Sequence, residues 1–166
     1  MKIKTPDGLI EAIKAGRIVK IKPGTDLSKV DFSKLNLSKL CFEGVILSGS
    51  NLSRSNLKGV NLKGAKLNGA DLSWTILDGA DLHKADLRFA LCRSAQMIKT
   101  NLGEANLSGA DMSKAHLERA VLTKADLTGT KLHKAYLGNA CFAGVIGLSD
   151  GMIREFTAVG GRRSVG

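Results

Sequence analysis

From Leu27 to Phe142 every fifth residue is apolar, and the register never slips; the 24 positions are Leu or Phe except at Cys92, Met97 and Met112. A period of five suits neither regular element. At about 100° per residue an α-helix would turn successive members by about 140° and scatter them around its surface. A strand alternates its side chains, so an odd spacing would send successive members to opposite faces. The chain must therefore turn once per repeat. Two residues before each core position stands a small or apolar residue, such as Ala65, Ala70, Thr75 or Ala80, and between them Asp or Asn prevails, as at Asp71, Asp81 and Asn106. The flanking pair lie on one side of a short extended segment, and the Asp or Asn points away. The last two residues make a corner, whose second position is Gly nine times and Lys or Arg ten times. A backbone with φ above zero favours Gly and disfavours a long cationic side chain, so at least two corner types are expected.

The unit Ala-(Asp/Asn)-Leu-Xaa-Xaa, as in Ala70-Asp71-Leu72, Ala80-Asp81-Leu82, Ala105-Asn106-Leu107 and Ala125-Asp126-Leu127, resembles the pentapeptide repeat family over residues 25–144. The resemblance implies an all-β fold, a right-handed quadrilateral β-helix with four repeats per coil. About six coils at ~4.8 Å make a rod roughly 30 Å long. A solenoid exposes strand edges at both ends, and the flanks read as covers for them. Residues 1–24 read as an N-terminal cap. Leu9, Ile10 and Ile13 fall at helical spacing, with Asp7 as N-cap, Gly16 as stop and a strand at Ile18-Val19-Lys20-Ile21. Residues 145–166 read as a C-terminal cap or tail, with Met152, Ile153, Phe156 and Val159 on a short helix or strand; the resemblance implies that this end can pair two copies into a homodimer.

The net charge is +10, but residues 1–24 hold six Lys/Arg against two acids and residues 145–166 three against two, so half the excess lies outside the repeats. No apolar stretch is long enough to cross a bilayer, and Met1-Lys2-Ile3-Lys4-Thr5-Pro6 lacks the hydrophobic core of a signal peptide; a cytoplasmic location is expected. Cys41, Cys92 and Cys141 lack the paired spacing of a zinc or redox site. With twenty-residue coils, Cys41 and Cys141 stand about 24 Å apart, too far for a disulfide, and Cys92 replaces an inward Leu. His83, His116 and His133 fall on different sides or coils, and no Ser, Cys or carboxylate pair converges with them. The sequence therefore predicts no enzyme, no metal site and no cofactor.

Outward positions should be polar, and those that are not mark candidate contacts. Trp74, Ile76, Phe89, Leu91 and Ile98 depart from the rule in the third and fourth coils, near Cys92 and Met97, and form a candidate interaction patch. The alternative is that they fold over the wall, lie under a terminus, or mark a locally distorted coil. The corner residues Lys34, Arg54, Lys114 and Lys134, interrupted by Trp74, stack into a candidate basic ridge, which Asp31, Asp71 and Asp111 partly neutralise. That ridge reads as a solvated face or, with Lys2, Lys4, Lys14, Arg17, Lys20 and Lys22, as a binder of nucleic acid or a membrane surface. The best-understood branch of the family comprises quinolone-resistance proteins that imitate DNA toward DNA gyrase, a bacterial type II topoisomerase. Here the line Asp31, Asn51, Asp71, Leu91, Asp111, Lys131 and the cationic whole depart from a polyanion. The leading expectation is a non-catalytic scaffold that binds another protein; an anionic-polymer binder is the alternative, and a topoisomerase modulator a third.

Overall fold

The computed structural model describes residues 6–17, 19–148 and 151. From Asp26 onward each outward residue bridges, always in parallel, to the residue twenty places on, as Asp26 does to Ile46 and Asn56 to Ile76. Four columns of bridges run along the rod, giving six four-walled coils over residues 25–144. The chain is a right-handed quadrilateral β-helix. Wall one begins at Asp26, wall two at Asp31, wall three at Asn36 and wall four at Cys41.

The backbone of each repeat closes in a fixed way, which the second coil illustrates. Leu52 N–H donates to the Asp71 carbonyl at 2.7 Å, Asn51 N–H to Val30 at 3.0 Å, Arg54 N–H to Ser73 at 2.9 Å, and Ser55 N–H closes the turn on Leu52 at 3.1 Å. The N–H left over is that of Ser53, and the Asn51 side-chain oxygen accepts it at 3.1 Å. The same bond joins Ser33 to Asp31, Ser73 to Asp71, His83 to Asp81, Gly103 to Asn101 and Thr128 to Asp126. Asp or Asn recurs because one backbone donor per repeat has no partner in the ladders.

Inside, the residues from Phe32 to Leu127 at five-residue spacing are buried in one column per wall, and the small residues two before them make a second set of ladders. Where Thr takes the small position its hydroxyl reaches the preceding coil. Thr75, Thr100 and Thr130 donate to the carbonyls of Leu52, Leu77 and Leu107 at 3.0, 2.8 and 2.8 Å, so these buried hydroxyls are satisfied.

The expected division of corners into Gly and cationic types is not what the structure shows. φ is +58° at Arg54, +55° at Trp74 and +59° at Lys114, against +64° at Gly49 and +69° at Gly109, the sign that a type II turn requires. Lys39 departs from this geometry; elsewhere one corner serves both residue classes. Left-handed backbone costs a non-Gly residue about 1–2 kcal/mol. It persists because the corner N–H bonds to the next coil and the core packs on both sides, which over-determine the turn.

Below the first coil, helix α1 (Pro6–Lys14) buries Leu9, Ala12 and Ile13. It starts at Pro6, whose fixed φ suits the first helical position, so Asp7 lies inside the first turn, favourable to the helix dipole, rather than capping it. Gly16, at φ +68°, ends the helix; its N–H donates to the Ile13 carbonyl and Arg17 N–H to that of Ala12, a Schellman closure. The strand expected next is not formed over Val19–Ile21, since the bridging columns start at Asp26. Val19 and Ile21 instead rest half-buried against the core. Above the last coil, Gly147 lies so close to the chain at Leu127 and Thr128 that a β-carbon would overlap the Thr128 nitrogen. Lys2, Lys4, Ile18, and the Met152, Ile153, Phe156 and Val159 read as a cap or dimer contact lie outside the described residues.

Candidate interaction surface

Wall two and its two corners carry the most exposed part of the predicted patch. Phe89 stands on the corner leading into the wall and is 70% exposed, Leu91 on the wall is 36% exposed, and Trp74 on the corner leaving it is 54% exposed. The outward column along this wall runs Asp31, Asn51, Asp71, Leu91, Asp111, Lys131, so Leu91 sits between two aspartates. Phe89 leans over Gly109, where a β-carbon would come within 2.6 Å of its ring. The absence of a side chain at Gly109 is what lets the phenyl lie against the next coil. Ile76 and Ile98 belong to wall three and its far corner and are half-buried. Ile98 donates its N–H to Asp78 Oδ1 at 2.9 Å. The five residues therefore form a band around two adjacent walls, with its exposed portion on wall two.

The predicted ridge occupies the corner between walls two and three: Lys34, Arg54, Lys114 and Lys134 are all exposed, and none has an ion pair among the described residues. Trp74 and Ser94 complete that corner, and the Arg54 guanidinium lies 5.3 Å from the centroid of the Trp74 ring, a cation–π contact. The basic N-terminal residues Lys14, Arg17, Lys20 and Lys22 belong to the segment under the first coil.

Three further outward apolar residues, Val121, Tyr136 and Ile146, are 39%, 53% and 59% exposed and were not singled out from sequence. All replace the Asp or Asn of the repeat; the same test for broken repeats, applied to the last two coils and the unit that follows them, finds all three. Tyr136 stacks on His116 with centroids 4.4 Å apart and ring planes at 15°.

The titratable groups follow from this lattice. Burial pushes the Asp111 carboxyl up, but hydrogen bonds from the Ser113 and Arg93 side chains and the Ser113 N–H, with the Arg93 charge, outweigh it and bring the carboxyl down to about 2. Bonds from Ser28 and Ser33 hold Asp26 and Asp31 below the usual carboxylate range, and Arg88 does the same for Asp86. Burial, reinforced by the charges of Asp71 and Asp111, pushes the Cys92 thiol up to about 12, so it is protonated at neutral pH and packs as a core residue. His83 lies 3.9 Å from Glu104 on one corner, His116 Nδ1 is 3.4 Å from Glu118 on wall three, and His133 stands on another corner. Among the described residues no three His, Cys, Asp or Glu side chains converge on a common metal position.

A family model for pentapeptide repeats matches residues 23–49, 55–90 and 100–139 in eight copies. Among solved structures the chain is similar to HetL, a pentapeptide repeat protein involved in heterocyst differentiation regulation from the cyanobacterium Nostoc sp. strain PCC 7120. The identity is 28%, over 87% of this chain and 61% of HetL, with a TM-score of 0.63. It is also similar to QnrB1, a plasmid-mediated fluoroquinolone resistance protein, at 26% identity over 72% of this chain and 62% of QnrB1, with a TM-score of 0.58. The chain thus spans about three fifths of the length of either protein. Among curated sequences no significant relative is found. With more than half of its residues matched in register with the observed coils, the chain belongs to the pentapeptide repeat family.

Proposed function

We propose that this chain is a non-enzymatic protein-interaction scaffold acting in the cytoplasm, a rigid rod that holds a partner against wall two. The observation that carries this reading is the adjacency of Phe89, Leu91 and Trp74 on one wall, where the repeat needs only polar side chains and the core is complete without them. Exposed apolar groups grouped in this way mark contact surfaces. HetL, with the same fold and a regulatory involvement, is consistent with such a role. Affinity capture from the native host with wild-type and Trp74→Ala/Leu91→Ser baits tests it: a partner retained by the first and lost by the second supports the scaffold, and identical captures refute it.

A second reading, binding of an anionic polymer, is favoured by one observation, the absence of ion pairs along Lys34, Arg54, Lys114 and Lys134 among the described residues. Retention on heparin that falls steeply with salt and ignores Trp74→Ala would favour it over the scaffold. A role like that suggested by the name of QnrB1 has weaker support, because lysine and apolar residues break both columns where aspartates recur, Leu91 and Lys131 on wall two and Ile46 and Lys66 on wall one. Stoichiometric inhibition of DNA supercoiling would raise it to first place.

A further inference from the structure

Wall three differs from the other walls in carrying no charged outward residue: its column reads Asn36, Asn56, Ile76, Gln96, His116 and Tyr136. Wall one, opposite, mixes charged and uncharged residues through Asp26, Ile46, Lys66, Asp86, Asn106, Asp126 and Ile146. Both borders of wall three are cationic. On one side stand Lys34, Arg54, Lys114 and Lys134; on the other Lys39, Lys58, Lys99 and Arg119. All eight are exposed and without an ion pair among the described residues. Two acids also stand on these borders: Asp78 accepts the Ile98 N–H, and Glu118 meets His116 through one oxygen while its other oxygen is buried without a partner among the described residues; against them stand the eight cations.

The wall between the borders is rich in donors. Asn36 and Asn56 spend their side-chain oxygens on the N–H groups of Ser38 and Lys58, which leaves each amide NH₂ without a partner among the described residues. On wall four, by contrast, Asn61 and Asn101 donate to Glu43 and Asp81. A surface of free N–H donors flanked by two rows of cations complements carboxylates. Base stacking is poorly served. The His116 and Tyr136 rings already stack on each other, and Arg54 already covers a face of Trp74.

We infer that wall three is a docking surface for an acidic polypeptide segment lying along the rod, its carboxylates meeting the two cationic borders. The inference rests on the reading of the chain as a protein-binding rod and names the chemistry of the partner.

The test uses the full chain and fluorescent poly-L-glutamate, with binding followed by anisotropy. Lys99→Glu/Lys114→Glu/Arg119→Glu puts acids on both borders, changing the charge by six units, and, since Glu104 already occupies an equivalent corner at φ +55°, leaves the turn geometry intact. Lys29→Glu/Lys63→Glu/Lys66→Glu makes the same charge change around wall one. The border variant should weaken binding at least about tenfold and the control no more than about threefold, with unchanged melting temperatures. Equal losses in the two variants, no binding by the wild type, or a preference of more than about tenfold for charge-matched oligo-dT overturn the inference. If poly-L-glutamate fails while the host partner is still captured in a Trp74-dependent way, the scaffold reading stands and the acidic partner alone is wrong.

Discussion

The Arg93 guanidinium reaches from one coil to the next and donates to the Asp111 carboxylate at 2.8 Å, which also accepts the Ser113 N–H. A carboxyl held near 2 in the folded chain, below its ordinary 3.8, contributes stability that is present above the ordinary value and lost as pH falls through the folded one. Between about pH 4 and pH 2 the wild type should therefore lose more melting temperature than Asp111→Asn does, as thermal scans followed by circular dichroism would read. Parallel slopes would dismiss the linkage. Because Arg93 is half exposed, Arg93→Ala at neutral pH should lower the midpoint by only about 2 °C.

Asp81 accepts two bonds, from the His83 N–H at 3.0 Å and from Asn101 Nδ2 at 3.0 Å. Asp81→Ala should cost about 1–2 kcal/mol in urea denaturation, while Asp81→Asn keeps the turn bond and should cost less than half as much. Similar losses for both would mean that the turn bond is not the source.

At Gly129, φ is +67° and the nearest atom to a new β-carbon is 4.0 Å away, so Gly129→Ala should cost about 1 kcal/mol for backbone alone. Gly147→Ala forces an overlap with the Thr128 backbone and should cost several times more, seen as a larger drop in the denaturation midpoint. Conversely Lys84→Gly relieves a φ of +57° and should be neutral or stabilising. Equal midpoints for the two Gly→Ala variants would refute the close approach at Gly147.

Leu107 is fully buried, stacked between Leu87 and Leu127 in its ladder. Leu107→Ala should destabilise by about 2–5 kcal/mol. Leu107→Arg should give no soluble folded chain, because the charge would have no partner inside the rod. A soluble Leu107→Arg protein with wild-type circular dichroism would show that this position does not face inward.

The interior was legible in the sequence because a period of five leaves the chain one way to bury Leu27 through Phe142 together. Corner geometry was not. Steric preference argues against φ above zero at Lys114 or Trp74, but closure of the coil decides it, a constraint that no single repeat contains. The recurrence of Asp and Asn is in plain view, but the sequence alone shows it only as outward polarity; their acceptance of the N–H two residues on emerges once the ladders account for the other donors of the repeat. Trp74, Phe89 and Leu91 were found by asking where the repeat is broken. The Arg93–Asp111 pair, eighteen residues apart, is invisible until the coil length is known.

Because each wall is one five-residue unit and each column steps by twenty, the surface and the core obey different rules when the gene changes length. Loss of a single unit, such as residues 65–69, would leave every later Leu pointing inward, yet it would shift all downstream walls by a quarter turn. His116 and Tyr136 would then leave the column of Asn36 and Asn56 and stand above Asn51. Only insertions and deletions of a whole coil preserve what the rod displays, so its surfaces can lengthen or shorten in steps of twenty residues while its interior tolerates steps of five.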